Sequence, residues 1–200
     1  MLSQTFDLPD ADVRYMPRWI AHDAADALFV ALRDGVAWER HRIRLFGRDV
    51  DAPRLSCWIG DAEATYTYSR MRYLPHPWPG ALLGIRDRLR EECGVEFNGV
   101  LANLYRDGND GMGWHSDDEP ELGARPLIAS LSLGTARRFA LRHRDDATCR
   151  LDIELAHGSL LLMGGATQAH YRHALPKTAH RAGPRINLTF RRLLRDAASR

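Results

Sequence analysis

Two residues with metal-ligand chemistry, His115 and Asp117, stand two positions apart in the sequence. On an extended strand, residues two apart project to the same face, so one imidazole and one carboxylate can approach a single metal ion. A second histidine from a distant segment would complete a set of two histidines and one carboxylate. That set leaves coordination positions open and is typical of non-haem Fe(II) oxygenases.

The sequence offers several histidines for the third ligand position and does not choose among them. They are His143, His157, His170, His173 and His180. His157 precedes Gly158 and is expected in a turn, and His143 stands between two arginines and is expected to be solvated. His170 and His173 belong to one β-like run but are three apart. They are therefore expected to face opposite sides, so that only one of them points inward.

A strict alternation of polar and apolar side chains marks residues 185–191. One face carries Arg185, Asn187, Thr189 and Arg191. Two interpretations stay open. In the first, the apolar face packs on a second sheet and the polar face is solvated. In the second, the polar face points into a barrel. The two arginines, rooted about 20 Å apart at ~3.3 Å per residue, then lean together to hold the ends of a small dicarboxylate.

Asn103 and Tyr105 form a second alternation, just before the turn that leads to His115. A buried amide and a buried phenol hydroxyl need hydrogen-bond partners. We therefore expect both side chains to supply neutral donors to the same carboxylates.

The elements that must position these residues change character near residue 96. Helices are predicted at 22–34 and 79–93, where apolar residues recur at helical spacing and Gly35 and Gly94 follow as stops. Further on, β-like runs alternate with turn signals, which favours a sandwich, a barrel or a jelly roll. These runs are 97–105, 127–133, 137–143, 149–155, 159–163, 169–174 and 184–192. The prediction is one domain over 1–200, with a helical and lid-like extension over 1–95 packed on a β core over 96–193.

Length and composition exclude several classes of protein. The 200 residues are 44% hydrophobic and 27% charged, which is ordinary for a globular chain. No apolar run approaches the ~20 residues of a membrane span. The net charge of +2 is too small to establish a nucleic-acid partner, although Lys177 is the only lysine and the other cations are arginines. Three scattered cysteines favour reduced thiols and a cytoplasmic location.

Four motifs follow one another in a fixed order. They are Asn103-x-Tyr105-Arg-Asp-Gly, Gly-Trp-His115-Ser-Asp117-Asp118-Glu119, Tyr-x-His173-x-Leu-Pro and Pro-Arg185-Ile-Asn-Leu-Thr-Phe-Arg191. This ordered set resembles the AlkB family of Fe(II)- and 2-oxoglutarate-dependent dioxygenases. The similarity runs from about residue 43 to 193, and it is closest to the branch that repairs alkylated DNA bases.

The resemblance implies a mainly β fold with flanking helices. Its core would be a double-stranded β-helix, or jelly roll, with N-terminal helices and a nucleotide-recognition lid. The resemblance also implies that His115, Asp117 and His173 hold Fe(II), with His173 preferred because the family's distal ligand precedes an Ala-Leu-Pro-like turn.

The resemblance further implies a site for 2-oxoglutarate on the same polar face, with O₂ as the oxidant. Arg185, with Tyr105, would hold the far carboxylate of 2-oxoglutarate. Arg191, with Asn103, would hold the carboxylate next to the keto group. The remaining cofactor-binding candidates on this face are Asn187 and Thr189.

The implied reaction is oxidative removal of N-methyl groups from bases such as 1-methyladenine and 3-methylcytosine in DNA, with release of formaldehyde, succinate and CO₂. A methyl group on a pairing edge is inaccessible in a duplex, so the nucleotide must be flipped out or single-stranded. Tyr66, Tyr68 and Ser69 match a family segment that lines the base pocket. Glu119 is the candidate acceptor for an exocyclic amine. A wedge residue, Trp38 or Phe46, is left unassigned.

Other functions stay open. One is an oxygenase of the same fold that acts on RNA, a protein or a small molecule. Another is a nucleic-acid-binding module with an inactive metal site, and a third is a cupin-like binding protein. The intact ligand set disfavours the second, and the paired arginines disfavour the third. We expect a monomer whose partner is nucleic acid with alkylated bases, DNA before RNA, and no membrane.

Overall fold

The computed structural model describes residues 3–45, 48–68 and 71–194, and for 43–45, 66–68 and 71–73 it describes the backbone alone. The helices are α1 (His22–Gly35), α2 (Gly80–Cys93) and a short α3 (Thr167–His170). The strands are β1 (Gln4–Thr5), β2 (Asp12–Met16), β3 (Arg42–Leu45), β4 (Arg48–Asp51), β5 (Leu55–Gly60), β6 (Tyr66–Tyr68), β7 (Met71–Tyr73), β8 (Gly99–Tyr105), β9 (Met112–His115), β10 (Ile128–Gly134), β11 (Arg137–His143), β12 (Arg150–Leu155), β13 (Ser159–Gly164), β14 (Tyr171–Leu175) and β15 (Arg185–Arg191).

The two long helices form where the sequence predicts them. In α1, Ala25, Leu28 and Leu32 are buried, and their spacing of three and four residues makes one apolar stripe. Helix α2 ends at Gly94, which has a φ of 67° and whose N–H donates to the carbonyl of Arg90. Glycine adopts this left-handed conformation without steric cost, so the predicted stop is confirmed.

Seven strands form a large antiparallel sheet in the order β1-β2-β13-β10-β15-β8-β5. Near its centre, β15 pairs with β8 so that Arg185 lies opposite Tyr105 and Asn187 lies opposite Asn103. The two polar alternations in the sequence are therefore brought into register on neighbouring strands.

Four strands form a small antiparallel sheet in the order β12-β11-β14-β9. Strand β9 is its edge strand and pairs with β14, which places His173 opposite His115. The register shifts between His173 and Leu175, so the pairing is irregular just beyond the two histidines. Two further hairpins, β3 with β4 and β6 with β7, lie outside both sheets.

Two apolar clusters fill the molecule. One lies between the large sheet and the long helices, where Leu188 and Phe190 of β15 pack with helix residues such as Leu32 and Leu89. The other lies between the two sheets and includes Leu161 of β13 and Leu141 of β11. The mainly β jelly-roll prediction is confirmed by these two packed antiparallel sheets with flanking helices.

Two strands from the first half of the chain pair directly with strands of the β core: β2, which the sequence did not indicate, and β5, which lies in residues 41–72, where the sequence predicts strands and turns. Strand β2 pairs with β13, and β5 pairs with β8, so both join the large sheet. One predicted β run begins too early, because Thr167–His170 form α3 and the strand starts only at Tyr171. In the part of the chain that the structure describes, no helix combines the length and the apolar character needed to cross a membrane.

Candidate active site

His115, Asp117 and His173 come together between the two sheets. Their ligand atoms, one nitrogen from each ring and one carboxylate oxygen, all lie within 4.8 Å of one another. The two imidazole rings are 4.2 Å apart at their centroids. Pairing of β9 with β14 accounts for this approach, because it joins two histidines that are 58 positions apart in the sequence.

The protonation of His115 suits a metal ligand. Its Nδ1 lies 2.8 Å from the carbonyl oxygen of Gly113 and is the donor of that hydrogen bond. The proton therefore sits on Nδ1, and Nε2 keeps a free lone pair. Burial lowers the pKa of His115, so the ring is held neutral near pH 7.

Asp117 is 2% exposed and carries its charge in an electropositive setting. Burial alone would raise its pKa, but the charge of Arg191 and the hydrogen bond from that guanidinium favour the carboxylate, and the pKa falls to about 2. Its Oδ1 accepts a hydrogen bond of 2.7 Å from Arg191 Nη2. Its Oδ2 is buried and accepts no hydrogen bond from the described part of the chain. One carboxylate oxygen thus remains for a cation.

His173 is also buried, and burial is the main reason why its pKa falls to about 3. Its ring stacks on Phe139 with a centroid separation of 5.3 Å. A neutral, fixed imidazole of this kind offers a lone pair without first losing a proton. Two neutral imidazoles and one carboxylate therefore fit the donor set that Fe(II) takes in non-haem oxygenases.

A polar ladder runs along β15 beside this group. Arg185 Nη2 donates to Ser132 Oγ and to Asn187 Oδ1, both at 2.9 Å. Asn187 Nδ2 in turn donates to Thr189 Oγ1 at 2.8 Å. Ser130 Oγ donates to Asn187 Oδ1 at 3.0 Å. These bonds fix the polar face of β15 inside the molecule rather than in solvent.

Arg185 is a buried cation that forms no ion pair with any described residue. It is 1% exposed, and no carboxylate of the described residues forms an ion pair with it. Burial lowers its pKa to about 10, and its Nε has no hydrogen-bond partner. The guanidinium carbon lies 5.4 Å from the ring centroid of Tyr105. Since an uncompensated buried charge is costly, this position suits an anionic ligand.

One cavity collects all nine residues that the sequence assigned to metal or cofactor. Apolar side chains, among them Leu101, Met112, Phe139 and Leu175, complete its wall. The nine residues are Asn103, Tyr105, His115, Asp117, His173, Arg185, Asn187, Thr189 and Arg191. The polar face of β15 therefore points into the space between the sheets, and the alternative of a solvated face is wrong.

The other candidate histidines lie elsewhere. His157 is in a turn, as expected, and its Nδ1 accepts a hydrogen bond from the N–H of Gly134. His143 is half-buried and not solvated, since its ring stacks on that of His170. His170 is in α3, so the expectation that it shares a strand with His173 is wrong. His180 is exposed.

Sequence reasoning missed several residues around the cavity. Arg54 is 7% exposed, and its Nε donates to Asn103 Oδ1 at 3.0 Å. Nothing local distinguishes it from the other arginines of its segment. Gln168 Oε1 accepts a hydrogen bond from the N–H of Asp117 at 2.9 Å. Ser130 and Ser132 stand two apart in an apolar strand, and that alternation was a usable signal.

The candidate substrate residues are described less fully. The backbone of Tyr66 and Tyr68 lies in β6, and Ser69 lies outside the described residues, as does Phe46. Glu119 is half-buried and precedes a 3-10 turn at Pro120–Leu122. Trp38 packs on the helix-side core and donates to the carbonyl of Arg33.

Comparison with known proteins finds a matching family model and several similar sequences. The family model described as "2OG-Fe(II) oxygenase superfamily" matches residues 12–191. The bovine "Alpha-ketoglutarate-dependent dioxygenase alkB homolog 3" is 42% identical over 189 residues, which cover 90% of this chain and 65% of that protein. The chain thus spans just under two thirds of the length of this relative.

A second relative and a solved structure are also similar to this chain. The mouse "DNA oxidative demethylase ALKBH2" is 41% identical over 180 residues, which cover 85% of this chain and 75% of that protein. The solved structure of OsALKBH1 superposes with a TM-score of 0.62 at 18% identity, and covers 96% of this chain and all of that one, which shows a shared fold. Members of this superfamily use Fe(II), 2-oxoglutarate and O₂, which are the cofactors that the sequence predicts. The chain belongs to the AlkB family of 2OG-Fe(II) oxygenases.

Proposed function

We propose that the chain is an Fe(II)- and 2-oxoglutarate-dependent dioxygenase that removes N-methyl groups from nucleic-acid bases by oxidation, with DNA as the preferred substrate. The name of the mouse relative, a DNA oxidative demethylase, supports the substrate class. The name of the bovine relative, an alpha-ketoglutarate-dependent dioxygenase, supports the reaction type.

The single observation that carries this proposal is the neighbourhood of Arg185. A buried guanidinium, with no counterion among the described residues, shares one cavity with two neutral histidines and a carboxylate. A dicarboxylic keto acid satisfies both features at once, because one end can pair with Arg185 while the other end reaches the metal.

Each residue then has a defined task. His115, Asp117 and His173 would hold Fe(II). Arg185 holds the far carboxylate of 2-oxoglutarate beside the ring of Tyr105. When bound, Fe(II) and 2-oxoglutarate supply the activation of O₂ for hydroxylation of a methyl group.

The remaining cofactor contacts come from the strands next to these ligands. Arg191 and Asn103 hold the carboxylate next to the keto group, and Arg54 fixes the Asn103 amide through its hydrogen bond to Oδ1. Arg191 also holds Asp117 Oδ1, which keeps the carboxylate ionised and turned in one direction. Asn187 and Thr189 keep Arg185 in place through the polar ladder.

The substrate base enters as a flipped or unpaired nucleotide. Tyr66, Tyr68 and Ser69 would line its pocket, and Glu119 would accept a hydrogen bond from its exocyclic amine. We further propose that residues 1–200 act as one dioxygenase domain, monomeric and cytoplasmic, in which segment 1–95 covers the core. Hydrogen bonding of β2 and β5 into the large sheet supports the single unit.

The decisive experiment compares methylated substrates. Oligonucleotides that carry 1-methyladenine or 3-methylcytosine are offered as single-stranded DNA, duplex DNA and RNA, beside the free nucleosides. We expect base repair with formation of formaldehyde and succinate in equal amounts, dependent on Fe(II) and 2-oxoglutarate. Mass spectrometry of the base and coupled detection of succinate give the two readouts.

The control is the same reaction with unmethylated oligonucleotides, which should yield no formaldehyde. If methylated bases remain intact while succinate forms on a methylated peptide or small molecule, the substrate class is wrong. If no succinate forms under any condition, the proposed dioxygenase activity is wrong.

A further inference from the structure

Three arginines stand side by side on the small sheet. In the registers of β11 with β12 and with β14, Arg142 lies directly opposite both Arg150 and Arg172. All three are exposed, whereas Leu141, which precedes Arg142, belongs to the core between the sheets. The three therefore share the outer face, and their backbones lie within about 10 Å at the usual strand spacing. We refer to Arg142, Arg150 and Arg172 as the arginine row.

The arginine row has no counterion within the described part of the protein. Like charges directly opposite each other destabilise a sheet, so the row carries an electrostatic cost. Arg138, on the same face of β11, pairs with Asp152 at 3.2 Å, but no carboxylate of the described residues forms an ion pair with the row. In the adjoining loop, Asp146 is bonded instead to Thr148 and Cys149. An external anion would relieve this cost.

An exposed aromatic side chain continues the row. Trp114 is 42% exposed and precedes His115 in β9, the edge strand of the small sheet. The guanidinium carbon of Arg142 lies 4.1 Å from the centroid of its ring. Trp114 also lines a mostly apolar depression of about 240 Å³ with Pro53, Pro176 and Lys177. Cations and an aromatic surface thus form one continuous band that ends beside a ligand of the candidate metal site.

We propose that this band is a docking surface for single-stranded nucleic acid. The arginine row contacts backbone phosphates, and Trp114 stacks on an unpaired base next to the one that enters the active site. Guanidinium groups suit phosphate oxygens, and base stacking on an aromatic ring requires no particular sequence. The inference rests on the proposed function, which gives a strand its reason to reach the β9 edge.

The test measures binding and not turnover. Fluorescence anisotropy follows the binding of a labelled oligothymidylate without N-methylated bases over a range of salt concentrations. The row variant carries Arg142→Gln, Arg150→Gln and Arg172→Gln. The matched control carries Arg18→Gln, Arg33→Gln and Arg90→Gln, three exposed arginines away from the small sheet that give the same loss of charge. A third variant, Trp114→Ala, removes the aromatic ring alone.

The row variant is expected to bind roughly tenfold or more weakly. Its slope of log affinity against log salt should fall by about 2, which corresponds to three lost phosphate contacts at ~0.7 each. The Trp114→Ala variant should bind roughly tenfold more weakly with an unchanged slope, because stacking releases no counterions. Replacing the row by lysines should restore most of the binding, which excludes misfolding as the cause.

Equal affinities of the row variant and the control variant would overturn the docking surface. So would a row variant that loses binding to anionic lipid vesicles but keeps binding to the oligonucleotide. The probe carries no N-methyl group for the proposed reaction to remove, so the two proposals fail separately. Absence of base repair by the unaltered protein refutes the proposed function. Oligonucleotide binding that is unaffected by substitution of the arginine row refutes this inference.

Discussion

The charged side chains in the cavity leave room for a cation beside Asp117 and for an anion beside Arg185. Asp117 has Arg191 on Oδ1 and no hydrogen bond on Oδ2, and Arg185 has polar neighbours but no ion-paired carboxylate among the described residues. A cation and an anion are therefore needed together. Fe(II) with 2-oxoglutarate is such a pair, and two residue substitutions separate the contributions.

Replacing Asp117 by alanine should abolish turnover. The carboxylate is the only anionic donor of the three, so its loss removes most of the affinity for Fe(II). Succinate formation and anaerobic titration calorimetry with Fe(II) measure the two effects. Asp117→Asn keeps an oxygen for Arg191 and controls for a collapse of the site. Full turnover in either variant would contradict the assignment.

Replacing Arg185 by alanine should raise the 2-oxoglutarate requirement. Loss of a charge-assisted pair costs about 2–3 kcal/mol, or roughly 30- to 150-fold in the half-saturating concentration. Initial rates at varied 2-oxoglutarate give the value. Arg138→Ala, at an exposed ion pair, is the matched control. An unchanged requirement would mean that Arg185 does not contact the co-substrate.

At the scale of elements, β15 separates two tasks on its two faces. Ile186, Leu188 and Phe190 pack against the helix-side core, while the alternate residues line the cavity. Every residue of the strand is buried, so solvent exposure does not distinguish its two faces. Stability and ligand binding are therefore expected to respond to different residues of one strand.

Leu188→Ala should destabilise the fold without changing the affinity for 2-oxoglutarate. The side chain is fully buried, and such truncations cost about 2–5 kcal/mol. Urea unfolding gives the free energy of unfolding, and titration with 2-oxoglutarate gives the affinity. Thr189→Val, on the opposite face, should weaken 2-oxoglutarate binding because it removes the acceptor for Asn187. The reverse pattern would show that the faces are misassigned.

The turn between β8 and β9 depends on an ionised carboxylate. Burial alone would raise the pKa of Asp110, but hydrogen bonds from the side chain and the backbone of Arg106 outweigh burial and lower it. A lowered pKa in the folded state adds stability above the unfolded pKa of about 4, and that stability is lost as the pH falls through the folded pKa.

Asp110→Asn should therefore lower the free energy of unfolding at pH 7 by about 1 kcal/mol, since Arg106 is partly exposed. The difference between the variant and the unaltered protein should shrink as the pH falls below about 4. Urea unfolding at several pH values checks this. A difference that is constant with pH would show that the ionised form of Asp110 is not required.

At the scale of the whole molecule, the cavity lies between two sheets that pack on each other. Ligands that bridge residues of both sheets bind only the folded state and must stabilise it. In the proposed site, a divalent metal would contact His115 of β9, His173 of β14 and Asp117, which follows β9, whereas 2-oxoglutarate would contact β8 and β15 of the large sheet.

Adding Mn(II) and 2-oxoglutarate together should raise the melting temperature by about 10–20 °C when each is near 100 times its dissociation constant. Thermal unfolding followed by circular dichroism measures the shift. The Arg185→Ala variant should keep the shift caused by the metal and lose the additional shift caused by 2-oxoglutarate. A shift that survives Asp117→Ala unchanged would place the metal elsewhere.

Features that depend on local spacing could be predicted from the amino-acid sequence. Periodicity gave both long helices and most of the core strands, since these patterns follow from backbone geometry within each element. The alternation of Arg185 with Asn187 and Thr189 showed that these residues share a face. The ordered motifs indicated His173 and the jelly roll because they resemble a family.

Contacts between distant segments could not be predicted from local spacing and are seen only in the folded protein. The fold put the polar face of β15 inside, because α1 and α2 cover the apolar face and leave the space between the sheets for polar groups. It brought Arg54 to Asn103 across the β5–β8 pair and aligned the arginine row across three strands. Periodicity specifies which side chains point the same way, but the packing partner decides which way is inward.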